Sequence, residues 1–413
     1  MLQILPFIRH TIKAIKLPKK TMIGGIAILI IVATFFYYQY AQFNTMIGSL
    51  EERKSTLETQ LLATKGELDI LKKQDQYVIN KNLEGEIANI QKTYNKAVVT
   101  YENLLKLQDL PAARLPAGQG RQGSQSIEKL EELLASSLVM LSKRNYASAE
   151  AALTTINAEI DKEKEKIAST FSIPKNVPTD NTPPAGGFSR QQVQIDIGTY
   201  LVDIVSADLG STRVIVDTAS ESDCHDNCPV LSLGDYVARN GAFAGVNGSY
   251  FCPAEYPSCA GKTNSYDTLL MNKNKKHFNA DNNVYSTVPA VIFLGGSVRY
   301  VGQSLEWGRD TGIDSMIANQ PLLLSGGNIV FGGSGDPKQG SKGSRSFVGS
   351  KGNTIYIGVV HNATVAEVAH VLKALGLEGA LNLDSGGSTA LWHGGYKVGP
   401  GRAIPNAVLF VNK

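Results

Sequence analysis

Asp384 lies in the stretch Leu381-Asn-Leu-Asp-Ser-Gly-Gly-Ser-Thr-Ala-Leu391, where an apolar, strand-like run ends and Ser385, Gly386, Gly387, Ser388 and Thr389 follow at once. Two adjacent glycines let the backbone turn sharply and bring N–H groups close to a ligand, and the flanking hydroxyls add donors. A carboxylate and a cradle for a small anion therefore share one turn. By residue type alone, the same stretch also reads as a Gly-Gly hairpin turn built from ordinary turn formers. Three further segments carry chemistry that fits the first reading. Val246-Asn247-Gly248-Ser249-Tyr250-Phe251 is an apolar strand ending in Asn-Gly, and the Asn247 amide can both donate to and accept from a sugar or phosphate. Ser344-Arg345-Ser346-Phe347-Val348-Gly349 sets an arginine just before a strand, where a planar fork suits a phosphate. Arg402-Ala-Ile-Pro405-Asn406 precedes the last strand with a second cation and amide.

These residues need a scaffold, and from Phe188 onward the apolar pattern is that of strands. Val193, Ile195 and Ile197 alternate, and short apolar runs follow at Tyr200 to Val205, Arg213 to Val216 and Ala242 to Val246. Ala290 to Val301, Pro321 to Phe331 and Ser346 to Val360 read as hairpins around Gly295-Gly296, Ser325 to Asn328 and Lys351 to Asn353. One segment is helical: Thr364-Val-Ala-Glu367 has capping-box form, and Val365, Val368, Ala369, Leu372 and Leu375 make an apolar face that stops at Gly376. That helix feeds Gly379 to Leu383, the strand delivering Asp384 to its end. The fold class predicted is α+β, mainly antiparallel strands with few helices.

The chain has 413 residues, 43% hydrophobic and 19% charged, enough for a sizeable core and more than one domain. A net charge of +3, its clearest basic excess at the N-terminus, gives no sign of nucleic-acid binding. No charged side chain occurs from Thr21 to Leu50, and Met22 to Tyr40 is almost wholly apolar, about the ~20 residues of a membrane-spanning helix. Arg9, Lys13, Lys16, Lys19 and Lys20 precede it, which places the N-terminus in the cytoplasm and the rest outside, with Phe35 to Tyr40 as an aromatic belt. The run is longer than the ~7–15 residues of a signal-peptide core, so an uncleaved single-pass anchor is expected. Cys224, Cys228, Cys252 and Cys259 all fall in the outside portion, where disulfides persist; four cysteines allow 3 pairings.

The expected order is a basic cytoplasmic segment at 1–20, a transmembrane anchor at 21–45 and a coiled-coil-like stalk at 46–110. A linker at 111–125, a helical hairpin at 126–170, a proline-rich linker at 171–189 and the strand-rich domain at 190–413 follow. The stalk places Ile47, Leu50, Leu57, Leu61, Leu68, Leu71 and Val78 on a and d positions, a seam for a homo-oligomer or for packing on its own domain. Its phase shifts beyond Asn80, Asn82 and Gly85, marking a stutter or a break.

Taken together, Asn247-Gly-Ser-Tyr-Phe251, Asn319-Gln-Pro-Leu-Leu323, Arg345-Ser-Phe-Val-Gly349, Asn382-Leu-Asp-Ser-Gly-Gly-Ser-Thr389 and Arg402-Ala-Ile-Pro-Asn406 resemble, in order, motifs of the phosphodiester glycosidase family. The usual family forms are N-G-G-F-F, G-P-x-L, R-T-A-I-G, N-L-D-G-G-G-S-T and R-x-V-x-N. The resemblance covers residues 190 to 413 and leaves the stalk aside. It implies hydrolysis of a sugar phosphodiester. Ser249 and Ser385 stand where the family has glycine, and each is expected to narrow the pocket; His361-Asn362 stands where many relatives carry Asp-Gly.

Competing enzyme readings fail on the residues. Asp384-Ser-Gly-Gly387 is similar to the nucleophile segment of trypsin-like proteases, but no matching histidine segment precedes it. An aspartic protease needs a second hydrophobic-Asp-Ser/Thr-Gly turn, and none is present. Gly335 to Gly340 has the P-loop interval but is followed by Ser341-Lys342, with the lysine misplaced.

The function expected is therefore cleavage of the anomeric bond of a sugar-1-phosphodiester by a membrane-anchored extracytoplasmic hydrolase. Asp384 would act on the anomeric side as nucleophile, base or electrostatic stabiliser. Arg345, the turn Gly386, Gly387, Ser388 and Thr389, and Arg402 would hold the phosphate, with Asn247 and Asn406 contacting substrate. Asp267, Glu306 and Asp310 are the candidates for a second carboxylate. No cofactor is required, and no ligand spacing demands a metal, although Asp384 is compatible with a divalent cation. The alternative class is a non-catalytic glycan-binding or envelope-tethering protein working through its coiled coil.

Overall fold

The computed structural model describes residues 19–108, 121–281 and 287–413. The basic residues Arg9, Lys13 and Lys16 and most of the 111–125 linker lie outside them. The chain forms two compact units, residues 1–88 and 89–413.

In the first unit, helix α1 (Lys19–Lys73) runs without interruption through the apolar segment and into the heptads. It is long and apolar enough to cross a membrane. A bend at Gln74 separates it from α2 (Asp75–Gln108), which continues straight through Asn80, Asn82 and Gly85. The phase shift thus falls inside one helix, and the break between helices comes earlier, at Gln74. Asparagine and glycine each cost a helix interior under about 1 kcal/mol, which the surrounding good helix formers outweigh.

In the second unit, the remainder of α2 packs with α3 (Arg121–Ser142) and α4 (Tyr146–Thr170). Ala97, Leu104 and Leu107 share one core with Leu130, Leu134, Leu153, Ile156 and Ile160. α3 and α4 form a helical hairpin that starts at Arg121, inside the stretch expected to be linker, and turns at Lys143 to Asn145, with the Asn145 side chain capping α4 by accepting from the Ser148 N–H. What the heptad pattern concealed is that this half of α2 joins the hairpin as a third helix. Asn157 donates to the Thr100 hydroxyl at 2.6 Å and accepts from Asn103 at 2.9 Å, which sets the register between α2 and α4.

Three sheets with antiparallel neighbours follow. The largest orders its strands Gly187–Ile195, Gly198–Asp208, Thr354–Ala363, Gly343–Lys351, Gly379–Ser385, Leu322–Ser325 and Asn328–Ile329. The second runs Tyr396–Val398, Leu391–His393, Ala244–Asn247, Asn406–Asn412 and Thr212–Thr218; the third runs His277–Phe278, Leu270–Met271, Ser315–Ala318, Ala290–Leu294 and Ser297–Val301. All three hairpins expected from the turn residues are present. One faces of each sheet meet in a shared core that includes Val205, Val348, Val246, Phe410, Phe278 and Val291.

Helix α5 (Leu233–Asn240) covers the outer face of the second sheet, its start fixed by a capping box between Ser232 and Asp235. A short turn, α6 (Pro337–Gly340), precedes the Arg345 strand. Helix α7 (Val365–Ala374) closes the outer face of the first sheet through Val365, Val368, Ala369 and Leu372, with Thr364 and Glu367 in the capping box read from the sequence. It hands the chain to Gly379–Ser385, so Asp384 arrives at a strand end, as expected.

Candidate active site

Two strand ends meet at Asp384. The Asn247 strand of the second sheet comes against the Asp384 strand of the first, and the Asn247 side chain joins them: Nδ2 donates to the Asp384 carbonyl at 2.7 Å. Its Oδ1 accepts from the Ser346 hydroxyl at 2.7 Å and from the Ala390 N–H at 3.1 Å. The Asp384 N–H in turn donates to the Gly248 carbonyl at 2.9 Å. Gly248 has no room for a side chain, since a Cβ there would sit 1.7 Å from Asn406 Oδ1.

That same Asn406 Oδ1 accepts the Ser249 N–H at 2.9 Å, and Asn406 Nδ2 donates to the Ser249 hydroxyl at 3.2 Å. Asn247 and Asn406 are buried with their amides bound to protein, so both hold the turn rather than face a substrate. The sequence offered two amides of suitable type; the partners that occupy them come from distant strands. Ser249 points at Asn406, and the Ser385 hydroxyl folds back onto the Leu383 carbonyl at 3.2 Å, so neither serine narrows the site as expected.

The turn after Asp384 is a 3₁₀ turn, Gly386–Ser388, entered with Gly386 at φ 68°. Its carbonyl on Gly387 accepts the Arg402 N–H at 2.8 Å, which ties the Arg402 segment beneath it. The Thr389 hydroxyl donates to the Ser344 carbonyl at 3.2 Å and fastens the far end. Around the carboxylate, Oδ1 accepts the Ser385 N–H at 2.9 Å, and the Ser388 hydroxyl also donates to it. Burial raises the Asp384 carboxyl to about 6, with the Asp267 charge adding to the rise and the hydrogen bonds and Arg402 opposing it.

Of the three candidate second carboxylates, Asp267 is the one whose charge acts on Asp384. Its N–H donates to the Tyr250 carbonyl at 3.2 Å, and partial loss of water raises its own carboxyl against the pull of Lys262 and Lys338. Glu306 accepts the Gln303 N–H at 3.0 Å and Asp310 the Gly312 N–H at 2.8 Å, each turned back on its own loop.

Arg345 lies opposite Ser385 across paired strands, next to a register shift that displaces it from the regular ladder. Its guanidinium is buried, and most of the fork is engaged by backbone: Nε donates to the Ala363 carbonyl at 3.1 Å, and Nη2 to the carbonyls of Lys338 at 2.8 Å and of Ser341. Nη1 has no hydrogen-bond partner among the described residues, so one arm of the fork remains where two were expected. Arg402 stands over the Tyr256 ring at 5.3 Å with Nη1 3.5 Å from Glu255.

The helical layer also reaches this edge. Lys106 of α2 stands over the same Tyr256 ring at 5.2 Å, and Glu102 accepts the Ser258 N–H at 3.0 Å. Loss of water and then the Lys338 charge bring the Lys106 ammonium down to about 8. Tyr256 sits in a loop closed by the Cys252–Cys259 disulfide, and Cys224–Cys228 closes the other, which resolves the three pairings open from sequence.

Two residues of the quoted motifs take positions that their types did not suggest. Asn319 is buried and bridges the site, accepting the Tyr250 N–H at 3.0 Å and donating to the Asn382 carbonyl at 2.8 Å. Tyr250 stands in its motif with no role assigned from sequence, and its hydroxyl meets Asn382 at 2.8 Å and feels the charges of Asp384 and Arg345. His361 belongs elsewhere: its Nε2 pairs with Asp203 at 2.7 Å, its Nδ1 is 3.4 Å from the Ser344 hydroxyl, and the Phe171 ring stacks on it.

Residues 240–411 match the family model described as phosphodiester glycosidase, so the resemblance read from five short motifs holds over that span. None of the curated proteins matches the chain. Among solved structures, a hypothetical protein from Synechocystis is similar with a TM-score of 0.40 and 13% identity, over 55% of this chain and 62% of that one. The zebrafish N-acetylglucosamine-1-phosphodiester alpha-N-acetylglucosaminidase catalytic domain, auto-inhibited by its pro-peptide, is similar with a TM-score of 0.44 and 15% identity, over 57% of this chain and 87% of that one.

Proposed function

We propose that the strand-rich domain is a phosphodiester glycosidase, hydrolysing the bond between the anomeric carbon of a sugar and the oxygen of a phosphodiester. The observation that carries this reading is that the other four family motifs all join the segment that bears the partly buried Asp384, each through a named hydrogen bond or strand pairing to residues 382–387. In this reading Asp384, ionised above pH ~6, faces the anomeric carbon. Water supplies the oxygen that bonds to that carbon, and its proton passes to the carboxylate. The electron pair of the breaking C–O bond leaves with the phosphate, a monoester anion that needs little protonation. The free arm of Arg345, Arg402 and the Gly386–Ser388 turn supply positive charge and donors on the phosphate side. Asn247, Asn319 and Asn406 hold these groups in place.

The apolar helix and the two disulfides support a membrane anchor with the domain outside the cytoplasm. Leu50, Leu57, Leu61, Leu68 and Leu71 are exposed on the single chain, a face that a second copy would cover. The test of the catalytic reading is a panel of sugar-1-phosphodiesters incubated with the full-length protein in detergent. Release of free sugar from at least one member is expected, and release from none removes the reading.

A further inference from the structure

The hydroxyl of Tyr250 is an addition that this chain makes to its motif, since the usual N-G-G-F-F form carries phenylalanine at that place. Its hydrogen bonding is settled by its neighbour. Asn382 is fully buried, and its Nδ2 lies 3.0 Å from the Gln320 carbonyl, 3.0 Å from the Leu383 carbonyl and 2.8 Å from the Tyr250 oxygen. Two carbonyls on one side of the amide require the nitrogen there, because the reverse orientation would set oxygen against oxygen.

An amide nitrogen only donates, so the Tyr250 oxygen accepts in this contact, sharing the two Nδ2 hydrogens with the two carbonyls, and its own proton has no acceptor among the described residues. The arrangement also leaves Asn382 Oδ1 buried without a protein partner among the described residues. Burial and the Asp384 charge push the phenol above its ordinary value, so it stays protonated and neutral. Asn319 fixes the Tyr250 backbone and Asn382 the ring end, which makes a donor whose direction is set before any ligand arrives.

We propose that the Tyr250 hydroxyl donates a hydrogen bond to one non-bridging oxygen of the substrate's phosphoryl group and favours the departing phosphate. This deepens the glycosidase reading and rests on it. No proton is transferred: water still contributes the oxygen that joins the anomeric carbon, and the C–O electron pair still goes to the phosphate.

The two phosphorothioate diastereomers of a hydrolysed sugar-1-phosphodiester separate the two non-bridging oxygens, because sulfur accepts hydrogen bonds poorly. With the full-length wild-type protein, one diastereomer is expected to react at least tenfold more slowly than the other. Tyr250→Phe is expected to lower kcat/KM on the all-oxygen substrate by roughly 10–100-fold, in line with loss of one preorganised donor, and to erase most of the difference between diastereomers. The ratio is internally normalised, so a partly folded variant does not alter it. An active wild type whose diastereomer ratio survives in Tyr250→Phe, or a variant as active as wild type, overturns this inference alone. A wild type that hydrolyses no sugar-1-phosphodiester overturns the glycosidase reading and this inference with it.

Discussion

Replacing Asp384 by asparagine is expected to cost hydrolysis about 10³-fold or more, roughly 4 kcal/mol of transition-state stabilisation, and to make the protein more stable at neutral pH. Both effects follow from one fact, a carboxyl whose value is raised from 3.8 to about 6 chiefly by burial. The native state binds this proton more tightly than the unfolded chain does. The wild type therefore loses stability as pH rises from about 4 through 6, and above that the full cost of a buried carboxylate is present. Two pKa units set a ceiling of about 3 kcal/mol. Asparagine keeps an oxygen for the Ser385 N–H and the Ser388 hydroxyl but carries no charge, so its advantage should appear in thermal unfolding above pH ~6 and vanish below pH ~4. Acting as a base, Asp384 must be ionised, so wild-type kcat/KM should climb through pH ~6 and then level. Activity that falls as pH rises through 6, or an asparagine variant less stable than wild type at pH 7.5, contradicts the assignment.

Asn247→Ala is the second large effect, and it falls on stability. From a fully buried position its side chain satisfies the Asp384 carbonyl, the Ser346 hydroxyl and the Ala390 N–H. Each buried group left unmet costs about 1–3 kcal/mol, so a loss of roughly 3–6 kcal/mol in equilibrium chemical denaturation is expected, with activity falling because the turn loses its anchor. A loss under about 1 kcal/mol with a raised KM would return Asn247 to the substrate-contacting role that its residue type suggests.

These two residues also mark what the sequence could disclose. Asp384 was legible because its information is local: an apolar run, an acid, then Gly-Gly. The Thr364 capping box and the three hairpin turns are local in the same way. Asn247 and Asn406 were recognisable as amides near turns, but whether such an amide faces ligand or backbone depends on strands 137 to 157 residues away. Arg345 loses part of its fork to carbonyls of α6 and Ala363, contacts that only folding brings to it. Tyr250 carried no local signal, because the amide that its hydroxyl meets lies 132 residues away. Helix α5 carried a legible signal in Ser232-Leu-Gly-Asp235, but at eight residues it was too short to show helical periodicity. The third helix of the bundle was hidden because Ala97, Leu104 and Leu107 satisfy a coiled-coil seam and an intramolecular core equally well.

The most direct test of an anomeric-phosphate site is which bond breaks. Hydrolysis of a sugar-1-phosphodiester by the full-length protein in ¹⁸O-enriched water, read by the isotope shift in the phosphorus spectrum, distinguishes attack at carbon from attack at phosphorus. Attack at the anomeric carbon beside Asp384 is expected, leaving the released phosphate monoester free of ¹⁸O. Label in that phosphate would show P–O cleavage and would contradict the placement of Asp384 on the anomeric side.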